Sequence, residues 1–100
     1  MSIIKLTKED LHGIWKSDKL TLTFNSQGSI AFLWYELNNH DTKYIAKGDV
    51  ALVDNEDETY VLKIGDESIS IRLYMPQEKP SSFIAEIPEK GEKYFTKFRD

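Results

Sequence analysis

Ser68-Ile69-Ser70-Ile71-Arg72-Leu73-Tyr74-Met75 is the stretch on which the reading of the fold turns. Ile69, Ile71, Leu73 and Met75 alternate with Ser68, Ser70, Arg72 and Tyr74. A period of two places one set on each face of a strand, whereas a helix would scatter both sets around its axis. The same signature runs through Leu20-Thr21-Leu22-Thr23-Phe24, through Tyr60, Leu62 and Ile64, and through Phe83, Ala85 and Ile87. In Ile30 to Leu37 both faces are largely apolar: Ile30, Phe32 and Trp34 share one, and Ala31, Leu33, Tyr35 and Leu37 the other. Trp34 and Tyr35 therefore face opposite ways, and in a closed sheet one of them points outward.

Turn chemistry separates these runs. Asn25-Ser26-Gln27-Gly28, Asn38-Asn39-His40-Asp41, Asp54-Asn55-Glu56-Asp57-Glu58, Gly65-Asp66 and Pro88-Glu89-Lys90-Gly91-Glu92 are rich in the residues that accept left-handed backbone or bond their own main chain. Pro76 to Ser82 is the longest polar connection. Tyr44 to Val53 reads as one strand, with Gly48-Asp49 as a bulge or sharp bend, because Tyr44, Ala46, Gly48, Val50 and Leu52 stay in phase. The last strand alternates Tyr94, Thr96 and Phe98 with Phe95, Lys97 and Arg99. Before the first strand, Thr7-Lys8-Glu9-Asp10 has the form of a capping box, and Gly13 stops the helical turn it starts.

With Ile14 to Ser17 as the first, eight strands result, joined mostly by hairpin-length turns. A flat meander of that kind leaves two long edges, and closing it removes them. The expected fold is all-β: an eight-stranded antiparallel up-and-down meander closed into a small barrel, with one short N-terminal helical turn and a single domain over 1–100. Leu20, Leu22, Phe24, Tyr60, Leu62, Ile64, Ile69, Ile71, Leu73, Phe83 and Phe98 are the expected interior. Eight strands leave little room beyond such side chains.

The 100 residues are 40% hydrophobic and 30% charged, with a net charge of −4. That charge disfavours nucleic-acid phosphates and anionic lipid. No cysteine is present, so thiolate metal sites and disulfides cannot form. Met1 to Asp10 lacks the apolar run of a signal peptide, and no stretch has the length of a membrane helix; a cytoplasmic, membrane-free protein is expected.

Chemistry-bearing motifs are sparse. His12 and His40 sit in separate loops without ligands at zinc spacing, and Asp54, Glu56, Asp57 and Glu58 lack the pattern of a calcium loop. Neither a nucleophile elbow nor a phosphate-binding or dinucleotide fingerprint occurs. Glu86 and Asp49 could act as an acid–base pair only if the fold joined them. The expectation is a non-enzymatic protein without metal or cofactor.

Gly13-Ile14-Trp15 opening the first strand, a preceding helical turn, eight meandering strands and Arg99 near the end together resemble the lipocalin-like (calycin) barrels. The resemblance implies that Gly13, Trp15 and Arg99 form a structural signature at the closed end, the guanidinium of Arg99 lying across the indole of Trp15. It also implies a binding protein, either a protein-binding or inhibitor-type module or a carrier of a small hydrophobic ligand. Residues placed to meet a protein partner are Trp34 and Tyr35, and Pro76, Gln77, Lys79 and Pro80 in the longest loop. An aromatic left outward could instead be covered by the arm Ile3-Ile4-Lys5-Leu6. A carrier would need an apolar cavity of about 300 Å³ or more, and a purely structural subunit would need neither cavity nor partner site.

Overall fold

A computed structural model describes residues 7–37, 40–55, 59–73 and 81–99. Eight strands form a closed antiparallel barrel in sequence order: β1 (Gly13–Ser17), β2 (Leu20–Phe24), β3 (Ile30–Glu36), β4 (Thr42–Asp54), β5 (Thr59–Ile64), β6 (Glu67–Leu73), β7 (Ser82–Ile87) and β8 (Gly91–Arg99). Each strand pairs with its sequence neighbours, and β1 pairs with β8 to close the ring. No helix among the described residues is long and apolar enough to cross a membrane.

A 3-10 turn, Glu9–Leu11, the only helical element among the described residues, forms where the capping box places it. The Thr7 amide and hydroxyl donate to the Asp10 carboxylate at 3.0 and 2.9 Å, and the Asp10 amide returns a longer bond of 3.4 Å to the Thr7 hydroxyl. This turn delivers Leu11, fully buried, to one end of the barrel. There the Leu11 carbonyl accepts the indole N–H of Trp15 at 2.8 Å. The turn rests on Gly28 in the β2–β3 connection, where φ is +69° and an added Cβ would lie 2.0 Å from the Lys8 carbonyl oxygen. Only glycine fits there, because both the backbone conformation and the space exclude a side chain.

Inside, Leu20, Leu22, Phe24, Leu33, Tyr60, Leu62, Ile64, Ile69, Ile71, Phe83, Ile87 and Phe95 join Leu11 and Trp15 in one buried cluster. Phe95 stacks on Phe83 with centroids 5.4 Å apart, and Trp15 packs at a tilt on the same Phe83 ring at 4.7 Å. Large side chains thus fill the barrel, as its narrow girth requires.

The interior differs from the sequence expectation at β8. Phe98 is 60% exposed, and Phe95 is the buried ring. Aromatics occupy both faces of β8, so alternation alone does not choose between them. Pairing with β7 does, because Phe95 lies opposite the inward-facing Phe83. The side chain of Leu73, also expected inside, lies outside the described set.

A second difference lies in β4. The strand does run through Gly48, but the register slip falls between Leu33 and Trp34 of β3, with Ile45 as the extra residue of β4. Alternation is therefore broken between Tyr44 and Ala46. At Asp49 and Val50 the strand changes partner: Thr42 to Asp49 pair with β3, and Val50 to Asp54 with β5. The β5–β6 turn nests against this switch. A Cβ on Gly65, at φ +60°, would lie 2.3 Å from the Lys47 carbonyl oxygen, and the Gly65 amide donates to the Asp49 carbonyl at 2.9 Å.

Candidate functional site: an aromatic face outside β3 and β4

With the interior filled, exposed apolar groups on the outer wall are the notable feature of the surface. β3 turns Ile30, Phe32 and Trp34 outward because its other set, Ala31 and Leu33, is buried. On β4, Lys47 stands opposite Phe32, and Tyr44 opposite Trp34. The bulge at Ile45 creates the second pairing. In a regular ladder Trp34 would face Ile45, and Tyr44 would stand beside Tyr35 on the inner face. The extra residue moves Tyr44 to the outer face, where it is 52% exposed beside Phe32 at 40%. Its ring lies 6.1 Å from Phe32 and 5.9 Å from Trp34, edge-on to the latter. Lys47 Nζ sits 5.4 Å from the Tyr44 ring centre. Thr21 and Thr23 of β2, opposite Trp34 and Phe32, border the patch with small half-buried side chains.

Trp34 and Tyr35 do face opposite ways. Trp34 belongs to the outer patch, half-buried by its neighbours. Tyr35 points to the barrel mouth away from the 3-10 turn, packs against the core, and carries Lys90 Nζ 4.1 Å from its ring centre. The two do not form one site. Around Tyr35 an open groove of about 290 Å³ is lined by Leu20, Leu37, Lys90 and Lys93, with Asp18 and Glu36 at its rim. Another depression of about 350 Å³ lies outside β6 and β7 and is lined mainly by polar groups, including Ser68, Ser70, Glu86 and Glu89. Pro76, Gln77, Lys79 and Pro80 fall outside the described residues, as do Ile3 to Leu6.

Closure brings Trp15 next to β8, but the cation over its indole is Lys97 rather than Arg99. Lys97 Nζ lies 4.8 Å from the Trp15 ring and donates to the His12 carbonyl. A register slip between Ile14 and Trp15 explains the substitution: Trp15 pairs with Lys97, while Arg99 falls opposite Ile14. Arg99 is exposed, its guanidinium 5.9 Å from the ring of Phe98. Gly13 is buried at the start of β1.

The polar candidates stay apart. The His12 ring bonds the Glu9 carbonyl at 2.7 Å beside the 3-10 turn, whereas His40 lies 3.6 Å from Glu36 at the β3–β4 connection. Glu86 stands opposite Glu92, and Asp49 opposite Ile30, so pairing does not join them. Among the described residues no three acids or histidines gather at metal-holding distances.

Sequence reading found Trp34 but missed Phe32, Tyr44 and Lys47. Phe32 was within reach, since it shares the face of Trp34 by simple alternation. Tyr44 was not, because its position depends on a bulge with no glycine or proline to mark it. Compared with models of protein families, with curated proteins and with solved structures, the chain matches none.

Proposed function

We propose that this chain is a non-enzymatic, lipocalin-like binding protein that engages a protein partner through the outer face of β3 and β4. The observation that carries the reading is the coexistence of a filled interior with clustered outward aromatics at Phe32, Trp34 and Tyr44. Side chains occupy the space that a carrier reserves for its ligand. The aromatics offer large apolar area with little rotamer entropy to lose, which is why Tyr and Trp anchor protein interfaces.

A photo-crosslinking phenylalanine analogue at position 32, compared with one at Ser70 on the opposite wall, tests this reading in an extract of the source cell. The expected result is a discrete protein adduct from position 32 alone, competed away by unlabelled protein but not by Tyr44→Glu. Equal labelling from both positions, or none from position 32, refutes it. Saturable uptake of a fluorescent fatty acid that quenches the buried Trp15 would instead support the carrier function.

A further inference from the structure

We infer that the upper half of β4, Thr42 to Ala46, is a docking edge that takes an extended, acidic segment of a protein partner as an additional strand. This inference rests on the proposed outer-face binding and specifies its geometry and the chemistry of the partner.

The first observation is the partner switch in β4. Thr42 to Asp49 pair with β3, and pairing with β5 begins only at Val50. Among the described residues, no strand lies along the other side of the upper half. The β5–β6 turn covers the stretch beside Lys47 to Asp49, where Gly65 abuts the Lys47 carbonyl. Among the described residues, Thr42 to Ala46 therefore form an edge of the sheet. At about 3.3 Å per residue, five residues offer about 16 Å of backbone for pairing. Such an edge supplies main-chain hydrogen bonds to any extended chain of suitable register.

The second observation concerns the side chains bordering that edge. Thr42, Lys43, Tyr44 and Lys47 are exposed. Tyr44 and Lys47 stand on the outer face, whereas Lys43, opposite Tyr35, belongs to the other face. A strand added here would place alternate residues beside Tyr44 and its aromatic neighbours on one face, and beside Lys43 on the other. Lys47 lies over the Tyr44 ring. Apolar residues suit the Tyr44 side, and acidic residues suit Lys43 and Lys47, because opposite charges on neighbouring strands stabilise a pair.

Lysines and a bulge are devices by which exposed edges resist indiscriminate pairing. Here Lys43 and the bulge at Ile45 both occur on a stretch that has no neighbouring strand among the described residues, which leaves it open to a partner that brings carboxylates.

The test is selection of binders from a random ten-residue peptide library on the immobilised full-length chain, followed by solution measurements on the best binder. The expected sequences alternate Asp or Glu with aliphatic or aromatic residues. Binding should slow amide hydrogen exchange within Thr42 to Ala46 at least tenfold. It should weaken at least tenfold when alternate peptide amides are N-methylated, and again in Lys47→Glu. If N-methylation changes nothing while Phe32 and Tyr44 still respond, the outer-face reading survives and the docking edge is refuted. Basic or uncharged binders, tighter binding of oligothymidylate than of any acidic peptide, or failure to select any peptide would also overturn the inference.

Discussion

The closed end of the barrel makes a quantitative demand on Trp15 and Lys97. Trp15 is fully buried, bonded through its indole N–H to the Leu11 carbonyl at 2.8 Å, and covered by Lys97 at 4.8 Å. Trp15→Phe keeps a ring in place but leaves part of the indole volume empty and removes that hydrogen bond. The combined cost should be about 2–4 kcal/mol. Lys97→Met keeps most of the stem but loses the ammonium, and with it the contact over the ring and the bond to the His12 carbonyl. Half-burial and the charged donor set that loss at about 1–3 kcal/mol. Because each substitution removes one side of a shared contact, the double variant should depart from additivity by at least about 0.5 kcal/mol. Arg99→Met, by contrast, should cost under about 0.5 kcal/mol, as an exposed side chain distant from the indole does, and should add simply to Trp15→Phe. A domain with about 5–15 kcal/mol of stability can carry the single variants in folded form. Equilibrium urea denaturation followed by far-ultraviolet circular dichroism measures all of these without relying on the altered tryptophan. Coupling of Trp15 to Arg99, with strict additivity toward Lys97, would falsify the arrangement described for the closed end.

Three further expectations address the remaining packing. Phe95→Ala, at a fully buried ring stacked on Phe83, should cost about 3–5 kcal/mol, and Phe98→Ala less than about 1 kcal/mol; comparable losses in urea titrations would return Phe98 to the core. Gly28→Ala should destabilise by more than about 1 kcal/mol and loosen the 3-10 turn, which enhanced amide exchange at Leu11 and Trp15 would report. Unchanged exchange would mean that the turn does not depend on its seat. Thr7→Ala should cost about 1 kcal/mol by removing the hydroxyl shared with Asp10, whereas Thr7→Ser should retain most of the stability.

The sequence by itself determined whatever depends on near neighbours. Alternation in Leu20 to Phe24 and Ile69 to Leu73 specifies strands because a half-buried sheet presents one side of every residue pair to the core. Asn25 turns the chain by accepting the Ser29 and Ile30 amides, and Thr7 and Asp10 cap their own turn, so these features are written within six residues. Closure also followed from counting strands and removing edges. Tertiary structure alone decided what depends on register between distant strands. A one-residue slip exchanges the faces of a strand; both faces of β8 carry aromatics, and in β4 the large Tyr44 and Ile45 stand side by side. Alternation was therefore silent on whether Phe95 or Phe98 enters the core, on which cation covers Trp15, and on which way Tyr44 points. Pairing with Phe83, the slip at Ile14 and Trp15, and the bulge at Ile45 settled those three questions. The side of β4 that has no neighbouring strand among the described residues is still less legible from sequence, since it arises from the stagger of three strands around the ring and belongs to no single segment.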